Sequence, residues 1–118
     1  MNYLENFNNT LEELLNIVIK ISPDMNNTIK KNYTFPLKTS IYLEKFLKNC
    51  ENKGYDISTK NEIIFSEHST IIEYIDFYNL WNDEMIDDIN RENIWKYLHT
   101  LYIYAIQSKH NKHVDDLY

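Results

Sequence analysis

Asn93-Ile-Trp-Lys-Tyr-Leu-His-Thr-Leu-Tyr-Ile-Tyr-Ala-Ile106 is the stretch on which the fold turns. Ile94, Leu98, Leu101 and Ala105 recur at steps of three and four, which puts them in one row along a helix. Trp95, Tyr102 and Ile106 form the row beside it. Tyr97, Ile103 and Tyr104 carry the apolar surface beyond a single stripe. A helix that is apolar over most of its circumference is one that other elements surround. The spacing therefore predicts a buried central helix over about 93–106. Immediately upstream, Asp87-Asp88-Ile89-Asn90 places acids and a capping side chain where the positive end of a helix dipole favours them. Downstream the periodicity lapses, and residues 108–118 read as a flexible tail.

A second stripe opens the chain. Leu4, Phe7, Leu11, Leu14, Leu15, Val18 and Ile21 share one helix face, with Glu12, Glu13 and Asn16 on the other side. Ser22-Pro23-Asp24 ends that helix and starts a short one reaching about residue 31, with Met25 and Ile29 inward. Residues 32–36 form a break, because the residue before a proline is pushed away from helical dihedrals. A third helix is predicted from about 37 or 39 to 52, burying Ile41, Leu43, Phe46, Leu47 and Cys50. Gly54, the single glycine of the chain, follows Lys53 where a left-handed helix cap is expected. Thr59 with Glu62 and Thr70 with Glu73 fit capping boxes and predict short helices over 60–66 and 71–79. Ile63-Ile64-Phe65 read as a strand has no second strand to pair with. One glycine and two prolines also speak against an all-β fold, which needs many tight turns. The expectation is all-α: a single compact bundle of five to six helices over residues 1–107, its C-terminal aromatic helix central. Trp81 and Trp95 are expected in or beside the core.

Composition agrees. A chain of 118 residues and 14.3 kDa buries roughly two-thirds of its extended surface on folding. Ten Tyr, five Phe and two Trp supply apolar volume that a disordered chain lacks. Cys50 is the only cysteine, so no intramolecular disulfide forms, and a reducing, cytoplasmic setting is expected. No cationic and apolar leader opens the sequence, and Lys20, Lys96 and His99 interrupt its apolar runs, so neither secretion nor a membrane span is expected. Asn-x-Thr triplets at Asn8, Asn26 and Asn32 read as chance in an Asn-rich chain. Asn and Ile occur sixteen times each, Lys eleven and Tyr ten. These residues use A- and T-rich codons, which points to an AT-rich genome.

Candidate chemistry is sparse. His110 and His113 with Asp115 and Asp116 have the ingredients of a metal site, yet zinc needs ligands held rigidly, and these fall in the predicted tail. No metal and no cofactor are expected. His99 lies one turn after Trp95, itself one turn after Glu92, the placement of a general base. Without a nucleophile or second acid at fixed spacing, the plainer reading is a partly buried histidine bonded to a neighbour. His68 stands beside Glu67 without further support. Cys50 falls on an apolar face, as a core residue would. The sequence contains no P-loop, dinucleotide fingerprint, nucleophile elbow, paired-cysteine motif or His-Glu-x-x-His.

Charge is the most usable surface feature. Residues 1–53 hold seven Lys against six acids; residues 54–92 hold ten acids against Lys60 and Arg91, a net of −8; residues 93–118 return to +1. Asp83, Glu84, Asp87 and Asp88, next to Trp81, form a compact acidic cluster. These five residues are the candidate docking patch for a basic protein partner. The segment from Asp83 to Arg91 lacks the glycine and ligand spacing of a calcium loop. A net charge of −6 repels phosphate, so nucleic acid is not an expected partner, the lysines at 38, 45, 48 and 53 notwithstanding. A homodimer would cover Tyr97 and Tyr104 if the core leaves them exposed.

Ile75-Asp-Phe-Tyr-Asn-Leu-Trp-Asn82, followed after an acidic linker by Asn93-Ile-Trp-Lys-Tyr-Leu-His-Thr-Leu-Tyr-Ile-Tyr-Ala105, resembles a pattern of small proteins of large nucleocytoplasmic DNA viruses. There an Asp-Phe…Trp segment precedes an Ile-Trp-Lys-Tyr-Leu helix. The resemblance covers about thirty residues, suits the AT-rich composition, and implies a helical fold and a viral origin. It implies no catalytic residue. The expected function is that of a non-catalytic interaction or assembly protein, in host cytoplasm or virion. The alternative is an enzyme or small-ligand-binding protein built on His99.

Overall fold

Two long helices from opposite ends of the chain form the scaffold. The structure, a computed structural model, describes the backbone of residues 2–116 and the side chains of residues 2–111. Helix α1 (Tyr3–Ile21) starts where the Asn2 side chain accepts from the Glu5 backbone N–H at 3.0 Å. It buries Phe7, Leu11, Leu14, Leu15, Val18 and Ile21, the stripe the spacing predicts. The last helix (Asp88–Asp116) runs antiparallel along it. Tyr97 meets Glu13 near the middle of α1, while Ser108 and Lys109 lie across a groove from Leu4 near its start. Ile94, Leu98, Leu101 and Ala105 are fully enclosed, and Trp95 nearly so, which makes this helix the centre of the core. Ile103, at 42 % exposure, is the one member of its predicted apolar breadth that faces outward.

Beyond Ile106 the backbone stays helical to Asp116, where the sequence predicts a flexible tail. Helical hydrogen bonding needs no apolar periodicity, and residues 107–116 contain no Gly or Pro to break it. Residues 117 and 118 lie outside the described part.

Between these helices the chain builds smaller elements. Ser22 closes α1, and a 3₁₀ turn at Pro23–Met25 leads into α2 (Asn26–Asn32), whose Ile29 is enclosed. Helix α3 spans Ile41–Cys50 and starts later than predicted. The Glu12 carboxylate accepts from the Leu37 backbone N–H, and Asn8 Nδ2 donates to the Thr39 carbonyl at 3.2 Å, so residues 37–39 are tied to α1 and stay outside the helix. Leu43, Phe46 and Cys50 point inward, but Ile41 is 44 % exposed, contrary to expectation. Two residues separate Ile41 from Leu43, or about 200° around a helix, so both cannot share the buried face.

Gly54 does not cap α3 in a left-handed turn. It opens α4 (Gly54–Ser58) at a negative φ. What fixes glycine there is the Tyr102 ring: a Cβ at position 54 would stand 2.6 Å from its Cζ and 2.9 Å from Cε1. The two predicted capping boxes are also absent. The Thr59 hydroxyl turns back to donate to the Tyr55 carbonyl at 2.8 Å, and Asn61 instead caps a 3₁₀ turn at Glu62–Phe65. Asn49 Nδ2 reaches the Glu73 carboxylate at 3.1 Å and the Ile71 carbonyl at 3.4 Å, so residues 71–74 form a turn tied to α3. Helix α5 (Phe77–Trp81) therefore starts later than predicted, with Asp76 as its cap. The last helix, here α6, completes six α-helices and two 3₁₀ turns, with no strand among the described residues. The fold class is all-α, as the composition and spacing predict.

Candidate interaction surface

The acidic segment is pinned to the scaffold by an aromatic cluster. The Phe65 ring stacks on Trp81 at 4.3 Å between centroids and lies 4.9 Å from Trp95 and 5.5 Å from Phe77. The Trp81 and Trp95 rings meet edge to face at 5.5 Å. Trp81 also donates its indole N–H to Glu62 at 2.8 Å, and its backbone carbonyl accepts from Arg91 at 3.3 Å. Large aromatic area buried on several neighbours is what stabilises an element only five residues long.

Trp81, a candidate partner-binding residue by sequence, is thus a core residue at 6 % exposure, and it holds the surface up rather than forming it. The four acids divide by task. Asp83 Oδ1 accepts from the Met85 backbone N–H at 2.8 Å and shapes the turn there. Asp87 Oδ1 accepts from the Asn90 N–H at 2.7 Å and begins α6. Asp88, fully open to solvent, pairs with Arg91 at 3.2 Å one turn along. Glu84 is exposed. Lys60 bonds Glu92 at 2.6 Å, and that hydrogen bond, with the lysine charge, holds the Glu92 carboxyl below the usual carboxylate range. The pair ties the loop before the Glu62–Phe65 turn to the first turns of α6.

Three aliphatic or thioether side chains of residues 54–92, missed by the sequence reading, are strongly exposed. Met85 is 77 % exposed, Ile89 73 % and Ile63 68 %. Ile63 comes three residues after Lys60 and Ile89 three before Glu92, so both belong to the segments that the Lys60–Glu92 pair ties together. Met85 lies four residues before Ile89, in the turn that Asp83 shapes. A signal was present in the sequence for one of them: Ile89 is about 140° around α6 from the Ile94–Leu98 row, out of phase with the core. Ile63 and Met85 sit in turns, where no period applies.

The remaining candidates fall elsewhere. His99 is exposed on α6, not half-buried against a partner, and it lines none of three grooves of about 510, 340 and 330 Å³. His68 is an exposed loop residue, and His110 is exposed on α6. The side chains of His113, Asp115 and Asp116 lie outside the described residues. Among those described, no group of three or more His, Cys, Asp or Glu is placed to hold a metal, and no helix is long and apolar enough to cross a membrane. Burial pushes the Cys50 thiol up to about 12, so it stays protonated at neutral pH and is a poor nucleophile. Tyr97 and Tyr104 are half-buried and pack against the core, and Tyr97 donates to Glu13 at 3.1 Å. Burial and that hydrogen bond raise its phenol above the ordinary tyrosine range.

Comparison with models of protein families, with curated proteins and with solved structures gives no match. The fold itself defines an all-α bundle whose middle segment, residues 54–92, carries the concentrated negative charge.

Proposed function

We propose that this chain is a non-catalytic protein–protein interaction protein that binds a basic partner through the acidic surface of residues 54–92. The observation that carries this reading is the concentration of ten acids against Lys60 and Arg91 over residues 54–92, both cations being paired, with Ile63, Met85 and Ile89 of the same segment each more than two-thirds exposed. Scattered apolar residues on a surface are ordinary, whereas a group of them within one field of charge is the pattern of a binding face. Negative charge there steers a basic partner in, and the apolar centre holds it. The resemblance to small helical proteins of large nucleocytoplasmic DNA viruses supports an assembly role in host cytoplasm or virion.

The test is capture of partners from the native source at low salt, with the wild-type chain and a Glu84→Lys, Asp88→Asn variant side by side. The expected result is a basic protein retained by the wild type, released as salt approaches roughly 0.5 M, and lost from the variant. Equal capture by both chains overturns the reading.

A further inference from the structure

We infer that Tyr33, Tyr42 and Tyr74 form an aromatic site for the methylated ammonium head of a lysine carried by a protein partner. The rings are continuous. Tyr33 lies 4.9 Å from Tyr42 and 6.2 Å from Tyr74 between centroids, and the second pair meets nearly at a right angle, 88°. Tyr33 is the buried wall at 3 % exposure, Tyr42 is half-buried, and Tyr74 stands 48 % exposed at the mouth. Tyr33 and Tyr42 share with Lys45 and Glu73 a void of about 10 Å³, room for one water. Aromatic faces carry the negative side of the ring quadrupole, and several of them gathered at one place are the means by which quaternary ammonium groups are recognised. The Glu73 carboxylate adds charge of the same sign. These residues are not those of the acidic docking patch, so the inference stands apart from the basic-partner reading.

The chain already places a cation there. The Lys45 ammonium lies 5.8 Å from the centroid of the Tyr74 ring, and Lys45 follows Tyr42 by three residues on α3, so the two share a helix face. A lysine head therefore reaches these rings, and Lys45, half-buried on a flexible four-carbon stem, is free to give way to another. A bare ammonium is strongly hydrated. Methyl groups replace its N–H donors with apolar surface while keeping the charge, so the methylated head loses less water on entering and is the favoured guest. Tyr74 holds its position against strain: its φ is 68°, a left-handed conformation that a bulky side chain resists. The surroundings enforce it. Tyr33 donates its phenol O–H to the Glu73 carbonyl, and Asn49 Nδ2 donates to the Glu73 carboxylate at 3.1 Å and to the Ile71 carbonyl at 3.4 Å. Strain maintained by neighbours in this way is typical of groups positioned to bind. Here it sets an exposed ring edge-on against Tyr33.

The experiment titrates the full chain with three probes and follows the tyrosine ring resonances by NMR. The probes are N-acetyl-trimethyllysine amide, the unmethylated lysine amide, and the neutral isostere in which carbon replaces the ammonium nitrogen. The trimethylated probe is expected to shift the rings of Tyr33, Tyr42 and Tyr74 and to bind at least about fivefold more tightly than either control. Lys45→Ala removes the resident cation and should tighten that binding by about two- to fivefold, since the site no longer has to be vacated first. In Tyr74→Asn the preference over the isostere falls to within about twofold. Asparagine tolerates positive φ, so the thermal transition of this variant is expected to hold. If it falls instead, Tyr42→Leu, on the opposite wall, must show the same loss of preference. Equal binding of probe and isostere overturns recognition of the ammonium charge, and a preference that survives both tyrosine variants overturns the assignment to these rings. Weaker binding in Lys45→Ala overturns the view that Lys45 occupies the site. Absence of binding by the trimethylated probe overturns the site altogether. None of these outcomes bears on the Glu84→Lys, Asp88→Asn comparison, so the two readings fail separately.

Discussion

Gly54 lacks a side chain where the Tyr102 ring fills the space one would occupy. Its φ is negative, so the requirement is close approach and not backbone conformation. Replacing Gly by Ala at a helical position ordinarily stabilises by up to about 1 kcal/mol. Here the added methyl group meets the ring at 2.6 Å from Cζ, so the tyrosine must move away from α4 and lose its contact there. Crowding of this kind costs about 1–3 kcal/mol. Gly54→Ala is therefore expected to lower stability by about 1 kcal/mol net, read as a reduced denaturant midpoint with unchanged m-value. Combined with Tyr102→Ala, the same change should become neutral or stabilising, because the clash is gone and the helix preference remains. Equal effects in both backgrounds would show that the ring is not what position 54 avoids.

At the scale of elements, the two long helices were legible and the short ones were not. The stripe from Leu4 to Ile21 and the row Ile94–Leu98–Leu101–Ala105 each repeat over several turns, and a repeated period is a property of the sequence itself. Over residues 54–81 no element is long enough to repeat a period. There the outcome depends on which side chain captures which backbone group. Thr59 bonds backward instead of capping forward, and Glu73 is taken by Asn49 from α3, a partner 24 positions away that no local pattern reveals. The candidate surface divides in the same way. Its charge was visible in the sequence, whereas the burial of Trp81 and the exposure of Ile63 and Met85 depend on tertiary packing. Asp87 belongs to both levels, since it begins α6 by accepting from the Asn90 N–H at 2.7 Å. Asp87→Ala should cost about 1 kcal/mol of stability, and Asp87→Asn only a fraction of that, because asparagine caps as well as aspartate does. Thermal denaturation of both variants tests the cap. A loss of equal size in the two would assign the role of Asp87 to its charge.

Across the whole molecule, the fully enclosed side chains concentrate on α1 and α6: Phe7, Leu14, Leu15 and Val18 face Ile94, Leu98, Leu101 and Ala105. The middle of the chain is laid against this pair in elements of three to ten residues, fastened through Phe65 among Phe77, Trp81 and Trp95. Short elements supply little helix stability of their own, so their persistence depends on that fastening. The proposed interaction surface belongs to the middle segment, and regions that bind are commonly drawn from the less stable part of a fold. Two levels of protection should follow in native-state hydrogen exchange. Amides of α1 and α6 exchange slowest, and those of residues 54–87 open at lower free energy. Phe65→Ala removes the central ring at a cost of about 3–5 kcal/mol. Its expected signature is loss of protection confined to the middle segment and the first turns of α6, with the α1–α6 rows still protected. Phe65→Leu, a milder change, should give the same regional pattern at smaller amplitude if the alanine variant proves too unstable to study. Uniform loss along the chain in both variants would mean that the middle segment and the scaffold open as one unit, and that Phe65 stabilises the whole bundle rather than seating the binding face upon it.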